Sequence, residues 1–438
     1  MNTPDVAALE IGRSPLKAIR WIVGCVVLAA NALSGAGGAG PARADSAPAA
    51  ARVTLAQALE AAWQRSQAAV GPQGQLLRAA ASQRAAASLL AAPPSLAVST
   101  RQDRWNNDAG QREHEVGVTL PLWLPGQRDA RLGAARAALA VAEGSVATER
   151  LRLAGQVREL AWSTAALQAE AAAANTEHRY LRSLADDVER RVKAGDLART
   201  DALAAQGELT GAQATLLDVE QRLQAERVRW VALTGLAEPA DPNEAQRAAP
   251  ATTTDAATAP GIDAHPALQL AALTTEAARR QADVARGDRS DAPELSVGYR
   301  RERSERGRAY DGSVVIGLRV PFGGDSRNLP LQAAAQSALD SAVADEARLR
   351  LQLDAEAAVA RDAVRAAERQ LDAQRSRAAL LRERARLIDA SFHAGETALP
   401  TLLLASSGAA QAEAALARQQ AALGAARARL DQALGLLP

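Results

Sequence analysis

Residues 126–167 read GQRDARLGAARAALAVAEGSVATERLRLAGQVRELAWSTAAL, and this stretch decides the fold. Leu132, Leu139, Val146, Leu153, Leu160 and Leu167 recur every seven residues, and Leu181 and Val188 keep the same register. No proline falls between Gly126 and Lys193. As one helix the segment would reach roughly 100 Å at a rise of about 1.5 Å per residue. A strict seven-residue apolar repeat draws packed helices into a left-handed supercoil. The stripe is narrow and alanine fills the flanks, so neighbouring backbones can approach closely. The expected partner is another helix.

Downstream, Gly195 ends this helix, as glycine does just past a helix terminus. A second heptad line follows in Leu209, Leu216, Leu223 and Trp230. A long helix, a break and an antiparallel return make a hairpin. The second half of the chain repeats it: a long helix is expected over 326–393, with a less regular stripe through Leu339, Val343, Leu349, Leu353, Val364, Leu371 and Leu387. Gly395 breaks it, and Leu416, Leu423, Leu430 and Leu437 line the return. Other landmarks keep nearly the same offset of about 200 residues. Pro94-Ser95-Leu96-Ala97-Val98 matches Pro293-Glu294-Leu295-Ser296-Val297, Gly117 and Pro121 match Gly317 and Pro321, and Ala194-Gly195-Asp196 matches Ala394-Gly395-Glu396. Each half is therefore expected to run helix, two strands, very long helix, break, helix. The repeats span 45–236 and 262–438, and the proline-, alanine- and threonine-rich residues 237–261 form an exposed connector between them. The returning helices are placed at 197–236 and 397–436.

Upstream of each long helix the periodicity changes to two. In Glu113–Leu124, Val116, Val118, Leu120 and Leu122 alternate with Glu115, Gly117, Thr119 and Pro121; in Ser313–Phe322, Val314, Ile316, Leu318 and Val320 alternate with Val315, Gly317, Arg319 and Pro321. Such alternation marks strands with one apolar face, including membrane-barrel strands. The strands are placed at 94–105, 113–124, 293–301 and 311–322. Beyond Thr100 and Tyr299 the alternation fades into Arg101, Asp103, Arg300, Arg301 and Glu302, charges expected at or beyond one membrane surface. Trp105, Trp123, Tyr299, Tyr310 and Phe322 gather in or beside these strands, in a chain that is only 3% aromatic. Interfacial girdles would explain that clustering. Four strands cannot close a barrel, whose smallest form has about eight. Open edges are not tolerated in lipid, so membrane-spanning strands here require several copies of the chain.

Residues 1–44 read as an export signal: Arg13, Lys17 and Arg20, an apolar run over Trp21–Ala30, and Ala42-Arg43-Ala44 before Asp45. That run is too short for a spanning helix of about 20 residues. The only cysteine, Cys25, lies inside it, so the mature chain is expected to have no thiol chemistry. Fifty-one basic residues against 50 acidic ones leave a formal charge of +1. No basic block points to nucleic acid.

No catalytic constellation stands out. His114, His178, His265 and His393 are isolated from one another, and Met1 is the only methionine, so neither a metal site nor a cofactor is expected. An enzyme is not expected either.

The order of these landmarks resembles the TolC-type outer-membrane efflux channels over essentially the whole mature chain. The resemblance rests on Val53-Thr54-Leu55-Ala56-Gln57-Ala58-Leu59, on Leu120-Pro121-Leu122-Trp123 leading to Gly126-Gln127-Arg128, and on its second copy, Val320-Pro321-Phe322-Gly323-Gly324. Arg191-Val192-Lys193-Ala194-Gly195 followed by Asp201-Ala202-Leu203 completes it. The Leu122–Arg128 corner also resembles a subgroup serving heavy-metal pumps. The resemblance implies a mainly α chain with a small β part. Its two coiled-coil hairpins would build a helical tunnel in a homotrimer, and its four strands a share of one transmembrane barrel. It implies outer-membrane lipid around the strands, with Val116, Val118, Leu120, Val314, Ile316 and Leu318 facing it. It implies a periplasmic adaptor at the hairpin tips, through Arg191, Lys193, Gly195, Asp196, His393, Gly395 and Glu396, and a proton-driven inner-membrane pump beyond. It places a periplasmic gate at Asp201, Leu203, Thr401 and Leu404. Thr401 and Leu404 stand where some members carry aspartates, so a full acidic ring is not expected. The competing readings are a periplasmic coiled-coil scaffold or an adaptor without a barrel. The scaffold accounts for the helices but not for the export signal or the paired alternating strands. An adaptor would carry one hairpin flanked by β-rich domains, where this chain has two hairpins and two short strand pairs.

Overall fold

The chain is described here by a computed structural model covering residues 53–66, 70–105, 108–242, 261–288, 290–322 and 325–438. The expected signal over 1–44 with Cys25, most of the connector, and Gly323 and Gly324 lie outside those residues. The order is α1 (Leu55–Arg65), α2 (Val70–Ala86), β1 (Ser95–Gln102), β2 (Arg112–Pro121), α3 (Gln127–Ala194) and α4 (Arg199–Thr234). A short 3-10 turn (Ile262–Ala264), α5 (Pro266–Gly287), β3 (Glu294–Arg303), β4 (Asp311–Arg319), α6 (Asp325–His393) and α7 (Leu399–Ala433) follow. The helix expected before the first strand pair is two helices. α1 opens on a capping box, Thr54 Oγ1 accepting the Gln57 N–H at 3.1 Å while Gln57 Oε1 accepts the Thr54 N–H at 3.0 Å.

The heptad line that opens the chain's reading lies in one 68-residue helix, α3. Its upper part packs against α2 and α5, and its lower part against α4 and α7. α6 packs against α5 above and α7 below. The helices therefore form an open layer in two tiers, with α2 and α4 along one lateral edge and α6 along the other. Both long helices stop at a glycine in the left-handed region, Gly195 (φ 88) and Gly395 (φ 79), which a side chain would strain.

The core is correspondingly a chain of small clusters. Leu55, Leu59, Leu153, Val157 and Trp230 bury the junction of α1, α3 and α4. Halfway along, a polar staple fixes the end of the chain to α3. Arg158, 5% exposed, donates to Gln432 Oε1 at 2.8 Å and to the Leu436 carbonyl at 2.9 Å, and Gln432 Nε2 donates to the Leu151 carbonyl at 2.9 Å. Burial holds the Arg158 guanidinium below its ordinary pKa, and Asp431 partly offsets this.

Nearby, the Trp162 ring lies against Gly424 so closely that a Cβ there would sit 1.9 Å from the ring. Gly424→Val is expected to destabilise the fold by about 1–3 kcal/mol through overpacking, read as a lower Tm of the detergent-solubilised protein. Adding Trp162→Leu should recover most of the loss; an unchanged Tm in the single variant would refute the tight contact.

The four strands form one antiparallel sheet in the order β1-β2-β3-β4. β2, from the first half, pairs with β3, from the second, over Arg112↔Arg303 to Pro121↔Glu294. The halves therefore lie side by side. The corners below the sheet are locked: Trp123 Nε1 donates to the Ser88 carbonyl at 3.0 Å, and Arg128 to the Ala87 carbonyl at 2.7 Å. Arg131 stacks 5.4 Å from the Trp123 ring and pairs with Asp288 at 2.9 Å.

Candidate functional site

The register sorts the sheet into two unlike faces. One carries Leu96 and Val98 from β1, Val116, Val118 and Leu120 from β2, Leu295, Val297 and Tyr299 from β3, and Val314, Ile316 and Leu318 from β4. The other carries Ser99, Glu115, Thr119, Ser296, Arg300 and Ser313. A water-soluble sheet would bury the first and expose the second. Here the burial is inverted. In the middle of β2 and β3, Val116, Val118, Val297 and Tyr299 are exposed while the polar and glycine positions between them are half-buried, and Leu120 and Leu295, nearer the helices, are half-buried. Val116 is 49% exposed, and Ile316 71%. A contiguous surface of this kind exceeds the scattered apolar residues a soluble monomer shows, whose largest patch is about 300–600 Å². Strands of eight to ten residues approach the roughly 9–11 that a tilted membrane strand needs. No described helix is long and apolar enough to cross a membrane.

The half-buried face holds its own charges together. Arg300 reaches Glu113 at 2.9 Å and Glu115 at 3.0 Å, and Arg319 lies 3.5 Å from Glu294. The residues expected to lie at or beyond a membrane surface, Arg300, Arg301 and Glu302, are thus within β3, which runs on to Arg303. The alternation fades there because both faces become charged, not because the strand ends.

The lateral edges are open. β1 and β4 each pair on one side only, and all eight residues of β1 are exposed. The edge helices repeat the pattern. On α4 the buried positions include Ala205, Val219 and Trp230, and exposed Leu203, Leu217 and Val228 each precede one of them by two residues. On α6 exposed Leu351 lies two residues before buried Leu353, and Val359 and Leu380 two residues after buried Ala357 and Ala378. Two residues are about 200° of helical turn, so both edge helices bear an apolar stripe opposite their own core. Val343 and Leu387, read from the sequence as part of the α6 core line, are exposed as well; a narrow heptad does not tell an inner partner from an outer one.

At the far end, the tips join the two hairpins. Leu181, Leu184, Val188, Phe392, Leu399 and Leu402 form one cluster drawn from α3, α6 and α7. Tyr180 donates its hydroxyl proton to Asp389 Oδ1 at 3.0 Å, and Arg191 stacks 5.1 Å from the Phe392 ring. Burial, then Asp389, pushes the Tyr180 hydroxyl well above the ordinary phenol range. Arg191 also pairs with Asp187 at 3.0 Å, and exposed Lys193 with Glu189 at 2.7 Å. His393 Nδ1–H donates to the Asp389 carbonyl at 2.8 Å. Gly195, Asp196, Gly395 and Glu396 are exposed at the apex.

The four residues expected at the gate lie in the first turns of α4 and α7. Asp201 caps α4, its Oδ2 accepting the Ala198 N–H at 3.2 Å. Leu203 is 64% exposed and Leu404 70%, and Thr401 is exposed too. Sequence reasoning missed the Tyr180–Asp389 bridge, the Trp162–Gly424 contact and the Arg158 staple. The available signals were a glycine in the middle of an alanine-rich helix and an arginine set between Val157 and Leu160. Among the described residues no group of three or more His, Cys, Asp and Glu side chains could hold a metal ion.

Known proteins share this architecture. Over 285 residues the chain is 33% identical to protein CyaE of Bordetella pertussis, and the match takes in 58% of each chain. The chain thus spans little more than half the length of that curated relative. The outer membrane protein VceC of Vibrio cholerae superposes with a TM-score of 0.69 at 17% identity, covering 87% of this chain and 96% of VceC. The open-state MtrE outer membrane channel of Neisseria gonorrhoeae gives 0.66 at 15% identity, over 87% and 89%. These likenesses show a shared fold. The family model for the outer membrane efflux protein matches residues 43–236. Through that match, residues 43–236 carry the sequence pattern of the outer membrane efflux protein family.

Proposed function

We propose that this chain is the outer-membrane channel subunit of a tripartite efflux system, passing cargo passively from an inner-membrane pump and a periplasmic adaptor to the exterior. The two central strands carry the proposal: Val116, Val118, Val297 and Tyr299 are exposed while the polar and glycine positions between them are half-buried, as a lipid-facing barrel wall requires. The strands alternate in direction, so β4 of one copy beside β1 of the next continues an antiparallel ladder. Three copies in a homotrimer give about twelve strands, an even number within the range of closed barrels. Ser99, Thr119, Glu115 and Arg300 then line a wet lumen. The apolar stripes on α4 and α6 close the helical layer into a tunnel in the same rotation.

In this reading the sheet sits in the outer membrane and the hairpins extend through the periplasm. The apex residues Arg191, Lys193, Gly195, Asp196, His393, Gly395 and Glu396 meet the adaptor, beyond which lies a proton-driven pump. Conduction needs no bond-making, and the channel role is not an enzymatic one. A scaffold or adaptor without a barrel would leave the apolar sheet face in water.

The gate is an iris at the tips. Tyr180 and Asp389 hold the hairpins together within a copy, while Asp201, Leu203, Thr401 and Leu404 face the neighbouring copies. Leu203→Asp is expected to raise the leak conductance of the reconstituted channel in planar bilayers severalfold. Tyr180→Phe, losing a bond worth about 0.5–1.5 kcal/mol, should raise it less. Unchanged conductance in both variants would place the constriction elsewhere. The proposal as a whole is tested by membrane fractionation with chemical cross-linking. It expects an outer-membrane protein with bands at two and three chain masses; a soluble periplasmic monomer would overturn it.

A further inference from the structure

The ends of the strands remote from the helices carry charge on both faces, and the two faces handle it differently. On the half-buried face Arg300 is neutralised by Glu113 and Glu115. On the apolar face the row beyond Val116, Tyr299 and Val314 holds His114 and Arg301, and the next holds Arg112 and Arg303. Tyr310 stands among them. The Arg301 guanidinium lies 4.7 Å from its ring centroid, the Arg303 guanidinium 5.2 Å, and the His114 ring 6.4 Å. Arg303 Nε also donates to the Gly110 carbonyl at 3.3 Å.

No carboxylate lies within salt-bridge distance of Arg112, Arg301 or Arg303 among the described residues. Glu113, Glu115, Glu302 and Asp311 alternate onto the other face. In the β1–β2 turn, Asp103 accepts the Gly110 N–H at 3.1 Å, and Asp108 pairs with Arg306 at 2.8 Å. The face is therefore cationic at its rim, and Arg112 and Arg301 are exposed.

We propose that this rim binds the phosphate group of an anionic lipid in the leaflet at the turn end of the sheet. This rests on the lipid-facing reading of the sheet and adds a headgroup specificity to it. Two residues of strand rise about 7 Å, so a phosphate held by Arg301 and Arg303 would stand one such step above Val116, Tyr299 and Val314. A lipid supplies that spacing, with acyl chains directly below its phosphate. Free phosphate engages the guanidinium forks equally well but leaves the apolar rows uncovered. Tyr310 holds two of the three cations in place by stacking, which lowers the cost of ordering them on the ligand.

Native mass spectrometry of the detergent-solubilised oligomer, titrated with dioleoyl phosphatidic acid, dioleoyl phosphatidylcholine or inorganic phosphate, tests this. Wild type is expected to retain phosphatidic acid at least tenfold more strongly than phosphatidylcholine, with inorganic phosphate at lipid-saturating concentrations failing to displace it. The triple variant Arg112→Gln, Arg301→Gln, Arg303→Gln should lose the preference yet still insert into vesicles and conduct. Tyr310→Leu, a milder change, should weaken the preference severalfold. Arg101→Gln, on the opposite face, should leave it intact. Absence of the preference in a wild-type oligomer that inserts and conducts overturns the rim site alone, as does displacement by inorganic phosphate. A wild-type chain that does not insert at all overturns the lipid-facing reading beneath it.

Discussion

Val118→Arg is expected to abolish insertion, whereas Thr119→Arg, one residue along, should insert normally. Val118 sits mid-strand on the exposed apolar face, paired with Leu96 and Val297. An arginine near the bilayer midplane of a barrel costs about 2–4 kcal/mol, and each copy of the chain would add that cost to the assembly. Thr119 points the other way, into the row of Ser95 and Ser296, where in the proposed barrel a charge would meet water in the lumen. Its variant should change ion selectivity or single-channel conductance and little else. The measurement is floatation with lipid vesicles, followed by planar-bilayer recording of whatever inserts. Equal insertion of the two variants would mean that the two faces see the same solvent.

The paired change Leu351→Asp and Val359→Asp should leave the chain folded but unassembled. Both side chains are bare, 72% and 69% exposed, and stand opposite the α6 core positions Leu353 and Ala357. If the stripe packs against a neighbouring copy, burying each such side chain contributes about 1.5–3 kcal/mol. An aspartate in its place adds the cost of desolvating a carboxylate. Because every interface in a ring carries the change, the loss repeats around the assembly. Light scattering in detergent should show single chains, and the far-ultraviolet circular dichroism should be unaltered, since both residues are exposed and stand opposite the buried positions of their own helix. A full-sized oligomer would show that α6 does not lie at the interface.

Much of this architecture is written in periodicity. Leu132 to Val188 at seven-residue intervals lie in a single helix, and Leu153, Leu181 and Val188 on that line are buried. The alternation of Val116, Val118 and Leu120 is likewise a face of one strand. These features survive translation because a helix of period 3.6 and a strand of period two leave local marks. What periodicity does not carry is the identity of the partner. Val343 and Leu387 read as packed positions and are exposed within the chain, because the sequence marks a side chain as apolar without saying whose surface covers it.

Long-range chemistry was equally silent. Tyr180 and Asp389 are separated by 209 residues and nothing local in either sequence announces the bond. Asp201 shows the opposite problem, since one acidic residue serves equally as a helix cap or as part of a gate. The charged ends of β2 and β3 obscured the strand limits for a third reason. Glu113, Glu115 and Arg300 satisfy one another across the sheet, so charge persists where apolar alternation would have marked the strand.

The solvent on each side of the sheet can be read directly. With an environment-sensitive fluorophore attached at single introduced cysteines along 115–119 and 313–316 in lipid vesicles, and Cys25 replaced, a bilayer-borne quencher should act at 116, 118, 314 and 316. A water-borne quencher should act at 115, 117, 119, 313 and 315. That alternation is what a lipid-facing wall around a wet lumen predicts. Uniform quenching from water at every position, in a protein that stays monomeric and dispersed without detergent, would contradict it.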